Sequence, residues 1–139
     1  MRNKIIFVLF FLFVSPLFSG VIPDFKPECG PRIISPGDKY NTTFYFVCPY
    51  FDDHRPSGAI YSITGMKISN FKQKNDSFPE FLAEKIEEKY GKNENGEYYV
   101  GWYDNKYLYW DAGSAPSGIY IWQIESGNEI YTGTVVVAR

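Results

Sequence analysis

The segment from Pro116 to Arg139 constrains the fold of this chain more than any other part of the sequence. It contains two runs rich in β-branched and aromatic residues, the first from Ile119 to Ile124 and the second ending in Val135-Val136-Val137. Gly127-Asn128 lies between them, and both residue types tolerate positive φ, so we expect a tight turn that joins two antiparallel strands. The valine run is too continuous for a strand with one wet face. The segment therefore predicts a β-hairpin built into a β-sandwich.

The other end of the sequence predicts export. Two basic residues open the chain, and they are followed by the apolar run Ile5–Val14 and by the small residues Ser19 and Gly20. Ten apolar residues are too few for a membrane-spanning helix, which needs about 20. We therefore expect a signal peptide at 1–19, cleaved after Ser19 or Gly20, and a mature domain at 20–139. An uncleaved N-terminal anchor is the alternative.

Charge and motif content argue against several functions. The chain has 14 basic and 16 acidic residues and a formal net charge of −2, so it lacks the basic stripe that nucleic-acid binding requires. The only histidine, His54, lies in a polar loop, and no serine-hydrolase elbow, phosphate-binding loop or zinc-protease helix is present. One histidine and two cysteines are too few for a zinc site. We expect a non-enzymatic protein without metal, cofactor or nucleic-acid partner.

Cys29 and Cys48 are the only cysteines. An even number of cysteines in an oxidising compartment favours a disulfide. Closing a loop of about 20 residues would stabilise the fold by roughly 3 kcal/mol in the chain-entropy model. We expect this bond to tie the proline-rich N-terminal segment to the end of a strand that begins at Thr43. Two reduced thiols are the alternative.

Frequent turn signals divide the rest of the chain into short strands. We expect six or seven strands in all, spaced as in a sandwich. The candidates before the C-terminal hairpin are Thr43–Cys48, Ala59–Ile63, Met66–Phe71, Tyr98–Tyr103 and Tyr107–Trp110.

One segment follows a helical pattern instead, inside an insertion at about 72–97. Ser77 and Glu80 form a capping-box pattern, an apolar residue recurs every four positions, and Gly91 is a suitable terminator. We expect a helix at about 77–90 that caps an open end of the sandwich, with a partner-docking helix as the alternative. The apolar stripe consists of Phe78, Leu82, Ile86 and Tyr90.

Aromatic residues make up 19% of the chain, and nine of them lie within the 25 residues from Tyr98 to Trp122. Alternation along a strand sends only about half of them to one face of a sheet. Trp102, Tyr107 and Tyr109 are therefore candidates for an exposed platform that contacts a sugar ring or a protein partner. Cross-strand aromatic pairs that only stabilise the sheet are the alternative.

The order of several segments resembles a known family. Ile60–Ile68, Trp110-Asp111, Ser117–Tyr120 and the hairpin ending in Val135–Arg139 are similar to the immunoglobulin-like domains of the FlgD type. The same pattern occurs in the C-terminal sorting domains of the type IX secretion system. The resemblance implies an immunoglobulin- or fibronectin-III-like antiparallel sandwich, and the segment at about 72–97 with its helix is an insertion relative to the family pattern.

Together these observations predict an exported, non-enzymatic module of mainly β structure. We expect it to act as an accessory or adhesion module in the periplasm or at the cell surface, with a protein or glycan partner at the cell envelope. The first alternative is a carbohydrate-binding module that uses the exposed aromatic residues. The second is a stand-alone sorting-type domain that outer-membrane machinery recognises.

Overall fold

A computed structural model describes residues 24–36, 41–99, 103 and 105–139. The predicted signal peptide and Trp102 lie outside these residues. The strands are β1 (Glu28–Gly30), β2 (Ile33–Ile34), β3 (Thr43–Val47), β4 (Ser57–Ser62), β5 (Lys67–Asn70), β6 (Lys72–Lys74), β7 (Tyr107–Asp111), β8 (Gly118–Ser126) and β9 (Glu129–Val137), and the helices are α1 (Phe51–His54) and α2 (Glu80–Tyr90).

The strands form two sheets that enclose one core. The first sheet has the order β1-β3-β7-β6, and the second has the order β2-β9-β8-β4-β5. These orders match the A-B-E-D and G-F-C-C′ sheets of immunoglobulin domains, which confirms the predicted sandwich. The described residues form nine strands rather than the predicted six or seven. Strands β1, β2 and β6 were not predicted, because they are only two or three residues long. The β2–β9 pair is parallel, whereas all other described pairs are antiparallel.

The predicted C-terminal hairpin is present. Ser126 pairs with Glu129, and Gly127 takes the first central position of the turn with φ 63°, as a type II′ turn requires. At the far end of β9, Val135 and Val137 point into the core and are fully buried. The C-terminal strand is therefore part of the core.

A corner tyrosine supports the immunoglobulin-like assignment. Near the start of β8, the hydroxyl of Tyr120 donates a hydrogen bond to the carbonyl of Pro116 at 2.7 Å. A tyrosine that bonds back to the backbone at this place is a hallmark of immunoglobulin folds. Its ring packs against Trp110 with 5.3 Å between centroids, so it also joins the two sheets.

The centre of the core is aromatic. The ring of Trp122 lies 5.5 Å from Phe44 and 6.0 Å from Phe46, which belong to the opposite sheet. Trp122 follows the corner tyrosine by two residues, the position at which antibody domains carry the second cysteine of their inter-sheet disulfide. Gly133 pairs with Trp122, and a Cβ atom there would come within 2.5 Å of the indole. Glycine at 133 therefore makes room for tryptophan at 122.

The predicted helix exists, but its position corrects the expectation that it caps an open end. Leu82 and Ile86 of α2 are fully buried against Val47 and Tyr107, which lie on the outer face of the first sheet. The alternation of β3 explains this, since Phe44 and Phe46 point into the sandwich while Tyr45 and Val47 point away from it. The molecule thus has three layers, a sheet, a second sheet and a helix.

The start of α2 also differs from the prediction. The helix begins at Glu80 after Pro79, and no side chain caps it. The carboxylate of Asp76 accepts a hydrogen bond from the backbone N–H of Ser77 at 2.7 Å, so this segment forms a turn before the helix rather than a capping box. The predicted terminator is confirmed, because Gly91 follows the last helical residue with φ 70°.

A buried carboxylate holds α2 to strand β1. Glu28 is buried, and its carboxylate lies 2.8 Å from Nζ of Lys89 and 3.6 Å from Nζ of Lys85. The hydrogen bond to Glu28 raises the pKa of Lys89. Next to this pair, the hydroxyl of Tyr103 donates to the Lys26 carbonyl at 2.6 Å, and the Lys26 N–H donates to the hydroxyl of Tyr90 at 2.7 Å. The N-terminal segment is thereby fixed between helix and sheet.

Two local expectations were wrong. The predicted polar loop after Pro49 contains the single helical turn α1, because Phe51 turns into the core and is buried. The predicted strand from Tyr98 to Tyr103 is not regular where it is described, since Tyr98 forms only an isolated bridge with Lys92.

Candidate functional site

The structure places Tyr107 and Tyr109, two of the three residues of the predicted aromatic platform, under the helix. Tyr107 is only 5% exposed, and its ring lies edge-on to Tyr45 at 5.5 Å. Burial raises the pKa of its hydroxyl. Tyr109 is half-buried beside it, at 6.2 Å, while Trp102 lies outside the described residues. The expected exposure of Tyr107 is therefore corrected, and the two tyrosines contribute to the interface between sheet and helix.

Both cysteines point towards the core between the sheets, and no disulfide joins them in the structure. Cys29 pairs with Phe46, and Cys48 comes two residues after Phe46, directly after the end of β3, so it is a diagonal neighbour of Cys29. Diagonal neighbours have Cα atoms about 7–8 Å apart, slightly beyond the range of about 4.4–6.8 Å that a disulfide spans. Burial raises the pKa of the Cys29 thiol. The disulfide stays a prediction, which mass spectrometry of non-reduced digests can test.

The outer face of the second sheet carries a continuous row of apolar side chains, which we call the apolar band. Ile33 pairs with Val136, and Val136 pairs with Ile119 on the next strand. Ile121 follows on the same face and pairs with Tyr61 of β4. Ile33 is 55% exposed and Ile119 is 49% exposed, whereas the other three are half-buried. The band crosses four strands near the C-terminal end of β9.

The rest of this face is mainly polar. Thr132, Thr134, Gln123 and Glu125 are exposed on the same side of β8 and β9. Ile130 is also 59% exposed, but it pairs with Glu125 at the opposite end of the strand. It lies six positions before Val136 along β9, which corresponds to about 20 Å. Ile130 is thus an isolated apolar residue on the same face, outside the band.

A cleft lies at the end of the sandwich where the hairpin turn of β8 and β9 meets α1 and the N-terminal segment. We call it the end cleft, and its volume is about 390 Å³, within the range of about 300–1,000 Å³ that is typical of ligand sites. Its lining is Asp24, Phe25, Lys26, Pro27, Cys48, Pro49, His54, Ser126, Gly127, Asn128, Glu129 and Tyr131.

His54 is fixed in the wall of the end cleft. Its Nδ1 lies 2.8 Å from the carbonyl of Pro49, and its own carbonyl accepts a hydrogen bond from the N–H of Gly127 at 2.8 Å. A carbonyl can only accept, so Nδ1 carries the hydrogen. In the neutral imidazole, Nε2 is then a hydrogen-bond acceptor. Among the described residues, no group donates to it.

Two further polar side chains of the end cleft have no hydrogen-bond partner within the described part of the chain. The hydroxyl of Ser126 belongs to a residue that is only 5% exposed. The ring of Tyr131 packs against Phe46 at 6.0 Å, while its hydroxyl is left without a partner. Burial raises the pKa of this phenol, which stays neutral and can donate. Buried polar groups are usually hydrogen-bonded, so the orphan hydroxyl of Ser126 needs an explanation.

The lysine that lines the described part of the end cleft is neutralised by one of its two carboxylates. Nζ of Lys26 lies 2.9 Å from the carboxylate of Asp24, and both side chains are well exposed. The hydrogen bond and charge of Asp24 raise the pKa of Lys26. Glu129 adds a second carboxylate near Tyr131. Within the described residues, no three histidine, cysteine or acidic side chains come close enough to hold a metal ion.

Comparison with known proteins adds no relative. No family model, no curated protein and no solved structure matches the chain. The resemblance to FlgD-type domains therefore stays a prediction from the sequence. In the part of the chain that the structure describes, no helix has the length and apolar character needed to cross a membrane.

Sequence reasoning did not identify either surface as a site. The alternation of β8 already assigns Ile119 and Ile121 to the face opposite Trp122, so two members of the apolar band were open to prediction. Ser126, His54 and Tyr131 had no such signal. They come from three different elements, and only the folded chain brings them to one cleft.

Proposed function

We propose that this protein is an exported, non-enzymatic immunoglobulin-like module that binds a protein partner at the cell envelope through the apolar band. The observation that carries this proposal is the exposure of Ile33 and Ile119 within one continuous apolar row. Single exposed apolar residues are normal on a protein surface, whereas contiguous patches mark interaction sites.

The surroundings of the band also fit an interface. Protein interfaces have an apolar centre and a polar rim. Thr134 and Gln123 adjoin the band on one side, and hydroxyl and amide groups can hydrogen-bond across a rim. Beyond Tyr61, the turn that joins β4 to β5 exposes Ile63 and Met66 by about two thirds. These two residues extend the apolar surface past the edge of the sheet.

A photo-crosslinking amino acid at position 119 tests this function in cells that produce the full chain. We expect a defined crosslinked product at position 119 and none at position 130. Ile130 is the matched control, because it is an exposed isoleucine on the same face outside the band. Introducing Ile33→Lys into the chain that carries the crosslinker should remove the product, since a charge cannot be buried unpaired in an apolar contact.

The same cells test export. Fractionation should place the mature protein in the envelope or the medium, and a protein that remains in the cytoplasm would contradict this part of the proposal. Equal crosslinking at positions 119 and 130 would show that the band is not a specific interface.

A further inference from the structure

The end cleft is separate from the apolar band. It lies at the β8–β9 turn, whereas the band lies at the other end of these two strands. Its most unusual feature is the side chain of Ser126, which is nearly completely buried in the cleft wall without a hydrogen-bond partner in the described residues. Leaving a buried hydroxyl unsatisfied costs stability. A ligand that fills the cleft and bonds this hydroxyl would remove that cost.

The other polar groups of the cleft indicate which ligand fits. Nδ1 of His54 is committed to the Pro49 carbonyl at 2.8 Å, so Nε2 of the neutral imidazole is available to accept a hydrogen bond. The Ser126 and Tyr131 hydroxyls can each donate and accept. A ligand must therefore offer both donors and acceptors, close together, on a compact body. Sugar hydroxyls have this property, since each one donates and accepts.

The charges and the ligand atoms of the cleft argue against two other ligand classes, phosphates and metal ions. A phosphate would face the carboxylates of Asp24 and Glu129, and the one lysine in the cleft is already paired with Asp24 at 2.9 Å. A metal ion would need three suitable ligands in reach, which the described residues do not provide. The remaining fit is a neutral, polyhydroxylated molecule.

We propose that the end cleft binds a neutral saccharide unit through hydrogen bonds to Ser126, His54 and Tyr131. Phe25 and Tyr131 also line the cleft, and their apolar atoms can contact the C–H groups of a sugar. This site differs from the exposed platform that the sequence suggested, because recognition depends on enclosed polar groups rather than on stacking.

Binding is tested by NMR titration of the folded, mature protein with methyl glucoside, N-acetylglucosamine and cellobiose, each up to about 10 mM, which detects millimolar affinity. Glucosamine and glucose 6-phosphate serve as cationic and anionic probes. We expect shifts confined to the cleft residues, with at least one neutral sugar binding more tightly than either charged probe.

Two variants with matched controls test the residues. Ser126→Ala and Tyr131→Phe should each weaken binding at least tenfold, while Ser57→Ala and Tyr98→Phe, which alter exposed residues outside the cleft lining, should leave it unchanged. Ser126→Ala should also leave the melting temperature unchanged or raise it, because the hydroxyl that it removes has no hydrogen-bond partner among the residues that the structure describes.

Several results would overturn the proposal. If no neutral sugar shifts the cleft residues, the Ser126 hydroxyl is satisfied by water alone. If only a charged probe binds, the ligand class is wrong. If Ser126→Ala lowers the melting temperature or fails to fold, the hydroxyl has a structural partner. Unchanged binding by Tyr131→Phe would remove Tyr131 from the site.

Discussion

The two outer faces of the sandwich both carry apolar side chains, but a described element covers only one of them. On the first sheet, Val47 and Tyr107 are buried because α2 lies across them. On the second sheet, Ile33 and Ile119 remain about half exposed, since no described element covers them. A sheet face rich in apolar residues normally has to be covered, and this chain covers one of its two with its own helix. We call this uncovered outer face of the second sheet the open face, and it is the face on which we propose that a partner binds.

The largest effect is expected when the end of β9 is removed, because this strand contributes residues both to the core and to the open face. A chain truncated after Gly133 loses the buried Val135 and Val137 and the pairing of β9 with the first part of β8. Burying a valine contributes about 1.5 kcal/mol or more, and a small domain is stable by only about 5–15 kcal/mol in total. We expect an unfolded or aggregated protein. Circular dichroism measures this, and cooperative unfolding at the temperature of the full chain would show that the strand is dispensable.

The second test compares one residue from each face. Leu82→Ala should destabilise the protein by about 2–5 kcal/mol, because it leaves a cavity between α2 and the first sheet. Ile119→Ala should change stability by less than about 1 kcal/mol, because its side chain is 49% exposed. Urea denaturation of both variants measures the difference. Equal losses would mean that the open face is as well packed as the covered one.

The smallest expected effect concerns alkaline pH and the covered face. Burial raises the pKa of Tyr107 above its ordinary value of 10.0, and Glu28 raises the pKa of Lys89 above 10.5. Both groups keep their protons longer in the folded protein than in the unfolded chain. Their contribution is therefore complete below about pH 10 and is lost as the pH rises through the folded-state pKa values.

Melting temperatures between pH 8 and about pH 12 measure this contribution, and they should fall above about pH 10. The fall should be smaller in Tyr107→Phe, which removes the phenol but keeps the ring against Tyr45. At pH 8 the variant should be close to the parent chain, because the hydroxyl has no hydrogen-bond partner among the described residues. An identical alkaline loss in parent and variant would show that Tyr107 is not protected by the helix.

Local patterns predicted individual elements well and their partners less well. Gly127 defined the hairpin turn, and the four-residue repeat through Leu82 and Ile86 defined the helix, because backbone preferences and side-chain periodicity are properties of neighbouring residues. The same repeat did not reveal which surface the helix covers. That depends on the outward side chains of β3 and β7. Strand β3 ends more than 20 residues before the helix in the sequence, and β7 follows the helix.

The candidate sites show the same limit. Tyr107 and Tyr109 were predicted as part of an exposed platform, but α2 buries Tyr107, and nothing in the local sequence pattern indicates this cover. The predicted disulfide between Cys29 and Cys48 depends on the register of β1 and β3, which local sequence patterns do not determine. The end cleft had no sequence signal, since its three polar groups without a described partner come from α1, β8 and β9.

The sequence by itself determined the class of this protein. Alternating β-branched and aromatic residues with glycine turns require strands, and one amphipathic stripe requires a helix, since each apolar face must be buried. Only the tertiary structure decided that the helix covers the first sheet, that the second sheet keeps an apolar band in solvent, and that Ser126, His54 and Tyr131 share one cleft. These outcomes depend on which distant surfaces meet, and that is set by the packing of the whole chain rather than by any local pattern.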